Sequence, residues 1–145
     1  MSNVDIRPVT LNDFETVYSF VCSLEEEELN LAQFRQCFDI CLTIPHNHYY
    51  LAFVDENPVG YISCHGQLLL HHCGMVYEIQ ELYVDEMYRS KGIGALLIAA
   101  VEKKLAGTDY KLLEVASGSK RADAHRFYKA NGFRHTSFKF LKEPE

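Results

Sequence analysis

The chain is short of positive charge. Over 145 residues, 14 Lys and Arg stand against 20 Asp and Glu, a net charge of −6. Affinity for a polyphosphate surface rests largely on Lys and Arg, which argues against a nucleic-acid partner. A small anionic ligand in a local basic pocket stays open. Long apolar runs are also missing. The longest, Ala95 to Val101, is far below the roughly 20 residues a membrane span needs. The first ten residues, MSNVDIRPVT, have no basic region followed by an apolar stretch, so no signal peptide and no membrane partner are expected, and the default location is cytoplasmic. The cysteines number five, with no CxxC pair, which fits a reduced compartment better than a disulfide framework. Cys37 and Cys41 fall on one helical face and read as small buried hydrophobes. Repeats, low-complexity tracts and Gly-, Ser- or Pro-rich linkers are lacking as well. Residues 1–145 are therefore expected to form one domain around one core.

What is present is a regular alternation of patterns. DIRPVT reads as a short edge strand, with Pro8 tolerated there. Leu11, Phe14, Val17, Tyr18 and Val21 repeat at helical spacing, and the run Glu25 to Glu28 closes that helix as a solvated charge cluster. A second helix fits Leu29 to Ile44. YYLAFVDENPVGYISCHG is a β-hairpin turning at DENP, and MVYEIQELYVDEMY is a strand with an acidic middle. GIGALLIAAVEKKLAG is a strong helix with Ile93, Leu96, Leu97, Ala100 and Val101 as its apolar positions and Gly107 at its end. YKLLEVAS is a strand, RADAHRFYKANG a short helix, and FRHTSFKFL a closing strand by its alternation. Antiparallel hairpins followed by two β-α crossovers predict an α/β (α+β) domain: a single mixed twisted sheet flanked by helices on both faces.

RSKGIG, residues 89–94, lies between a strand and this strong helix. Free N–H groups at a helix start, together with the positive end of its dipole, make an anion site. Gly92 and Gly94 are expected to remove Cβ atoms that would keep a phosphate from the backbone. No Lys-Ser or Lys-Thr follows Gly94, so the loop is not a P-loop. Leu97 stands where a dinucleotide fingerprint needs a third small residue.

The order R-x-x-G-x-G, after an apolar strand and before a long amphipathic helix, resembles the pyrophosphate loop of the GNAT superfamily of N-acetyltransferases. The segment AHRFYKANGF (Ala124 to Phe133) resembles that family's A-x-x-F-Y-x-x-x-G-F block. The likeness covers nearly the whole chain and implies the GNAT fold and acetyl-CoA as cosubstrate. YEIQELYV, KR.DAHRFY and HGQLLLHHC further resemble the aminoalkylphosphonate N-acetyltransferases of bacterial phosphonate metabolism. This implies N-acetylation of small aminoalkylphosphonates such as 1-aminoethylphosphonate, 2-aminoethylphosphonate and aminomethylphosphonate. Another small amine acceptor (an amino sugar phosphate or a polyamine) and a non-catalytic acetyl-CoA sensor are the alternatives.

Acetyl transfer needs a polarised thioester, a neutral amine and a proton for the leaving thiolate. The resemblance implies that the backbone of Leu82, Tyr83 and Val84 pairs with the pantetheine arm, and that a strand N–H polarises the thioester. Arg89, Ser90, Lys91, Gly92, Ile93, Gly94 and Ala95 would take the pyrophosphate, and Tyr128 would protonate the sulfur. The family often carries Asn after its fifth strand; here the stretch is ASGSKR, so either Ser117 takes that contact or the contact is absent.

Acidic residues in the middle of a central strand are costly unless they serve a site or find partners. Glu78 is the first choice as base, directly or through water, with a salt-bridged carboxylate as the structural alternative. Strand alternation would place Glu78 and Gln80 on one face, and Ile79 and Glu81 on the other. Lys120, Arg121 and Arg126 near the second motif, Arg35 on the second helix, and Ser63 and His65 on the hairpin are candidates to bind the acceptor. His46, His48, His65, His71 and His72 match no compact zinc pattern, and His71 and His72 would point to opposite faces of a strand. The resemblance allows a loosely held divalent metal without placing its ligands, and a homodimer.

Overall fold

The computed structural model describes residues 3–116, 122–136 and 139–144. Strand β1 (Val4–Pro8) lies at one edge of a sheet, as Pro8 anticipated. Helix α1 (Phe14–Glu25) follows and buries Phe14, Val17, Phe20 and Val21. Helix α2 (Leu31–Cys41) starts at Asn30, whose side chain accepts the Gln33 N–H at 2.9 Å. Such a cap contributes about 1 kcal/mol. Phe38 of α2 joins the α1 residues over Leu51 and Tyr61, forming the apolar layer on one sheet face.

Strands β2 (Asn47–Val54) and β3 (Asn57–Leu69) form the hairpin. Asp55 and Glu56 both have positive φ, 49° and 67°, the twist a tight hairpin needs. A 3₁₀ turn, Leu70–His72, leads into β4 (Gly74–Val84). His71 and His72 therefore sit in a turn, with rings 4.3 Å apart, and do not alternate along a strand. Helix α3 (Ile93–Leu105) crosses to β5 (Leu112–Val115), which runs parallel to β4. The sheet order is β1-β2-β3-β4-β5, with every other junction antiparallel. Helix α4 (Ala122–Ala130) follows.

The second face of the sheet carries α3. Ile93, Leu97, Ile98, Val101 and Leu105 pack there against Ala52, Val59, Ile62, Cys64 and Ile79, and Phe127 of α4 joins them. Full burial of one such aliphatic side chain contributes about 2 kcal/mol, so this layer dominates stability. The mixed sheet with helices on both faces is as expected. Leu96 is not core: it is 45% exposed, and Ile98 takes its place. The thiols are less uniform than expected, since Cys64 is buried but Cys37 and Cys73 are exposed.

Among the described residues the closing strand is not seen: residues 133–136 and 139–144 carry no strand. Alternation makes a strand only where one face is buried, and here Phe140 and Leu141 are 97% and 86% exposed.

Candidate active site

Two breaks in regularity build the site. The first is a β-bulge in β4. Ser63 pairs with Glu81 but Cys64 pairs with Ile79, so Gln80 is an extra residue. Tyr77 and Ile79 pack in the α3 layer, and so do Leu82 and Val84, whereas Tyr83 packs in the α1 layer. The bulge thus inverts the alternation. Glu78, opposite His65, and Glu81, opposite Ser63, share the α1/α2 face, contrary to the alternation expected from sequence.

The second break is a fork. β4 and β5 are paired as far as Ile79 and Val115, after which β4 continues to Val84 paired on its β3 side. A cavity of about 270 Å³ fills the divergence. Its walls are Gln80, Glu81 and Leu82 of β4, Val115 at the end of β5 and Ala116 after it, Ala124 and Tyr128 of α4, and Leu24 and Glu25 at the end of α1. A second cavity, about 120 Å³, lies between the sheet and helices α1 and α2. Cys37 and Cys41 both line it, as their shared helical face implied, beside Val17, Phe38, Tyr49, Tyr61, His65 and again Glu81. Glu81 borders both cavities.

The Glu81 carboxylate accepts from the hydroxyl of Ser63 and, at 3.4 Å, from that of Tyr61. Burial pushes the Tyr61 phenol well above its ordinary range, with the Glu81 charge adding to it, so Tyr61 stays a neutral donor. Tyr49 is raised likewise, first by burial, and its hydroxyl meets His65 Nε2 at 2.5 Å. Burial lowers the His65 pKa against the opposing pull of Glu81 and Glu78, which favours a neutral imidazole. Glu78 is differently placed. Lys139 binds its carboxylate at 2.9 Å and Gln80 donates to it at 3.2 Å, the salt-bridged arrangement. It lines neither cavity.

Tyr128 is held by the end of its own helix. Gly132 has φ 91°; its N–H bonds to Lys129 O at 3.1 Å, and the Phe133 N–H bonds to Tyr128 O at 3.0 Å. This is the αL helix stop with its hydrophobic clasp, the Phe133 ring lying 5.8 Å from that of Tyr128. The G-F of the sequence block therefore orients the tyrosine. Phe127 sets its other side, with ring centroids 5.4 Å apart.

At the loop, Gly92 has φ 82° and open space where a Cβ would stand. The first helical bond is Leu96 N–H to Gly92 O at 3.1 Å, which leaves the N–H groups of Ile93, Gly94 and Ala95 without an intrahelical acceptor. This fits a pyrophosphate. Gly94 has a different reason to be glycine: a Cβ there would meet Phe127 Cζ at 2.9 Å. It serves the contact between α3 and α4. Arg89 turns back onto the strand, its Nε donating to Val84 O at 2.9 Å and its guanidinium 5.8 Å from the Tyr83 ring. Lys91 lies over Tyr88 and Ser90 has φ 62°.

The acceptor candidates divide. His65 lines the second cavity. Ser63 is fully buried and bonded to Glu81, so it cannot touch an acceptor directly. Arg35 is paired with Asp39 at 3.1 Å, stacks over Phe14, and lines neither cavity. Arg126 is paired with Asp123. Ser117, Lys120 and Arg121 lie outside the described residues. Among the described residues no group of three or more His, Cys, Asp or Glu side chains converges as a metal site. None of their helices is long and apolar enough to cross a membrane. Sequence reasoning passed over Glu25, whose only signal was its place in the acidic run, and Tyr49 and Tyr61, which only the hairpin register brings to Glu81.

Comparison with known proteins gives the family and the fold. The model of the Acetyltransferase (GNAT) family fits residues 10–133. The aminoalkylphosphonate N-acetyltransferase of Salmonella typhimurium is 38% identical over 138 residues, 95% of this chain and 90% of that one. Among solved structures, aminoglycoside N-acetyltransferase AAC(6')-Iy in complex with CoA superposes with a TM-score of 0.88 at 17% identity, covering 99% of this chain and 96% of that one. AAC(6')-Ih from Acinetobacter baumannii gives 0.85 at 16% identity, covering 99% of both. At such identities these two speak for the fold alone.

Proposed function

The chain belongs to the GNAT acetyltransferase family and is an N-acetyltransferase, and from that premise we propose that it moves the acetyl group of acetyl-CoA to the amine of small aminoalkylphosphonates. The observation that carries the acceptor is the 38% identity, along almost the full length of both chains, to the Salmonella typhimurium enzyme of that name.

The fork between β4 and β5 receives the pantetheine arm of the donor, along the free edge of Leu82, Tyr83 and Val84. The pyrophosphate lies on the N–H groups of Ile93 to Ala95 above Gly92, with Arg89, Ser90 and Lys91 at the rim. Glu81, bordering both cavities, replaces Glu78 as the proposed base, because Glu78 is engaged by Lys139.

An acceptor amine, with a pKa near 10, arrives as ammonium and gives one proton to Glu81. The neutral nitrogen attacks the thioester carbon, a C–N bond forms, and the C–S bond breaks. The thiolate takes a proton from the Tyr128 hydroxyl, the second proton shed by the nitrogen makes up that loss by way of solvent, and the third stays on the amide. One proton per turnover passes from Glu81 to solvent, and Tyr128 is reprotonated. Direct transfer needs no metal.

A second reading has one observation behind it. The described lining of the larger cavity includes two carboxylates, Glu25 and Glu81, and no Lys or Arg. That suits a polycationic acceptor such as a polyamine. The test is thiol release from acetyl-CoA across a panel of aminoalkylphosphonates, polyamines and amino sugar phosphates. Highest kcat/KM for 1- or 2-aminoethylphosphonate supports the proposal, and highest kcat/KM for spermidine replaces it. Acetyl-CoA binding without turnover on any amine points to a sensor.

A further inference from the structure

Ser63 is the sole fully buried polar side chain among the described residues, and it lies mid-strand in β3. Two hydrogen bonds of its side chain go to one residue, Glu81, with the Tyr61 hydroxyl beside them. Its oxygen accepts the backbone N–H of Glu81 at 3.0 Å, and its hydroxyl donates to Glu81 Oε1. A hydroxyl has one proton to give. Because the N–H can only donate, the serine proton is committed to the carboxylate. Oε1 is therefore held as an acceptor, with Tyr61 reaching the same atom at 3.4 Å. Oε2 is the oxygen left to take a proton.

The bulge at Gln80 is what makes this pair of hydrogen bonds to one residue possible. It advances β4 by one position, so that Glu81 turns to the face where Ser63, Tyr61 and His65 stand. A glutamate side chain has three rotatable bonds, and ordering it costs about 1–2 kcal/mol of rotamer freedom. A carboxylate tethered from a buried strand meets that cost during folding and not at each turnover.

We propose that Ser63 is a positioning residue for proton transfer: it locks the Glu81 carboxylate with Oε1 occupied and Oε2 presented to the acceptor ammonium. This rests on the reading of Glu81 as the base. The proton leaves the ammonium nitrogen for Oε2 and later passes to solvent, while the Ser63 hydroxyl keeps its own proton throughout.

The test uses the full chain and the best acceptor from the panel, with Ser63→Ala, Ser63→Cys, Glu81→Gln and the double variant Ser63→Ala/Glu81→Gln. At about pH 7, Ser63→Ala is expected to lower kcat roughly tenfold, the effect of losing one charge-assisted hydrogen bond, with acetyl-CoA KM within about twofold of wild type. Ser63→Cys keeps the shape with a weaker donor and is expected to fall between, which serves if the alanine variant folds poorly. Near pH 9.5 the loss is expected to shrink, since the amine then supplies its own neutral form. In the Glu81→Gln background, adding Ser63→Ala is expected to change kcat less than about twofold. A packing role would lower the rate equally at both pH values and in both backgrounds, and that result overturns the proposal. Loss of activity in Glu81→Gln beside wild-type turnover in Ser63→Ala overturns the proposal alone. Wild-type turnover by Glu81→Gln at about pH 7 overturns the base reading and the proposal with it.

Discussion

Gly94 in the first turn of α3 lies against the ring of Phe127 in α4, so close that a Cβ would stand 2.9 Å from Cζ. This contact ties the proposed pyrophosphate loop to the helix that carries Tyr128, the next residue along. Gly94→Ala is expected to destabilise the protein by about 1–3 kcal/mol through overpacking, and to lower kcat by shifting α4. Gly92→Ala has no clash and instead strains a residue at φ 82°, at a cost of about 1 kcal/mol. Its expected main effect is a raised acetyl-CoA KM. Thermal melts and steady-state kinetics on the two variants separate packing from donor binding. Equal effects of both on KM would contradict the division.

Tyr128→Phe removes the hydroxyl and keeps the ring contacts with Phe127 and Phe133. If the phenol protonates the thiolate, kcat is expected to fall about 10²-fold with acetyl-CoA affinity unchanged. Calorimetric titration with acetyl-CoA alongside turnover checks both halves. Full turnover by Tyr128→Phe would remove it from the proposed mechanism.

The two β4 carboxylates give opposite expectations. Glu81→Gln is expected to lose about 10²-fold in kcat near pH 7, and to recover as pH approaches the amine pKa. Glu78→Gln breaks an ion pair whose lysine is largely exposed, and such pairs contribute about 0–1 kcal/mol. Its expected effect is small on both stability and rate. The pH–rate profile of each variant decides the matter, and inactive Glu78→Gln beside active Glu81→Gln would restore Glu78 as the base.

Acid stability follows from the histidines. Burial holds His48 below its ordinary pKa, with Lys104 and His46 adding to it, and burial lowers His65 as well. The unfolded chain protonates these groups near pH 6.5, before the folded chain does. Their contribution is thus intact above about pH 6.5 and is lost as pH falls below it toward the folded values. Tm is expected to drop between about pH 7 and pH 5, and His48→Gln to reduce the drop. Asp13, lowered by its bond with Arg7, acts in a more acidic window, below the ordinary carboxylate range. An unchanged Tm slope in His48→Gln would assign the effect to other groups.

The sequence by itself determined most of the elements, the family resemblance and the loop proposed to hold the donor. Apolar spacing from Ile93 to Val101, the glycine at 92 and the AHRFYKANGF block are local patterns. Helix starts, helix stops and phosphate cradles are built from consecutive residues, so they can be read along the chain. The Gly132-Phe133 clasp on Tyr128 is of this kind.

The residues proposed for the acceptor side come together only in the tertiary structure. Strand alternation separates Glu78 from Glu81, and one extra residue at Gln80 reunites them on a single face. That bulge leaves no mark in composition, because it is a choice of register against β3. The same register brings Ser63 beneath Glu81 and Tyr49 beside His65, pairs 18 and 16 residues apart. Alternation also predicted a closing strand that the exposed Phe140 and Leu141 do not form. A period of two states which residues share a face, whereas cross-strand pairing and burial decide which face is used and where the count slips.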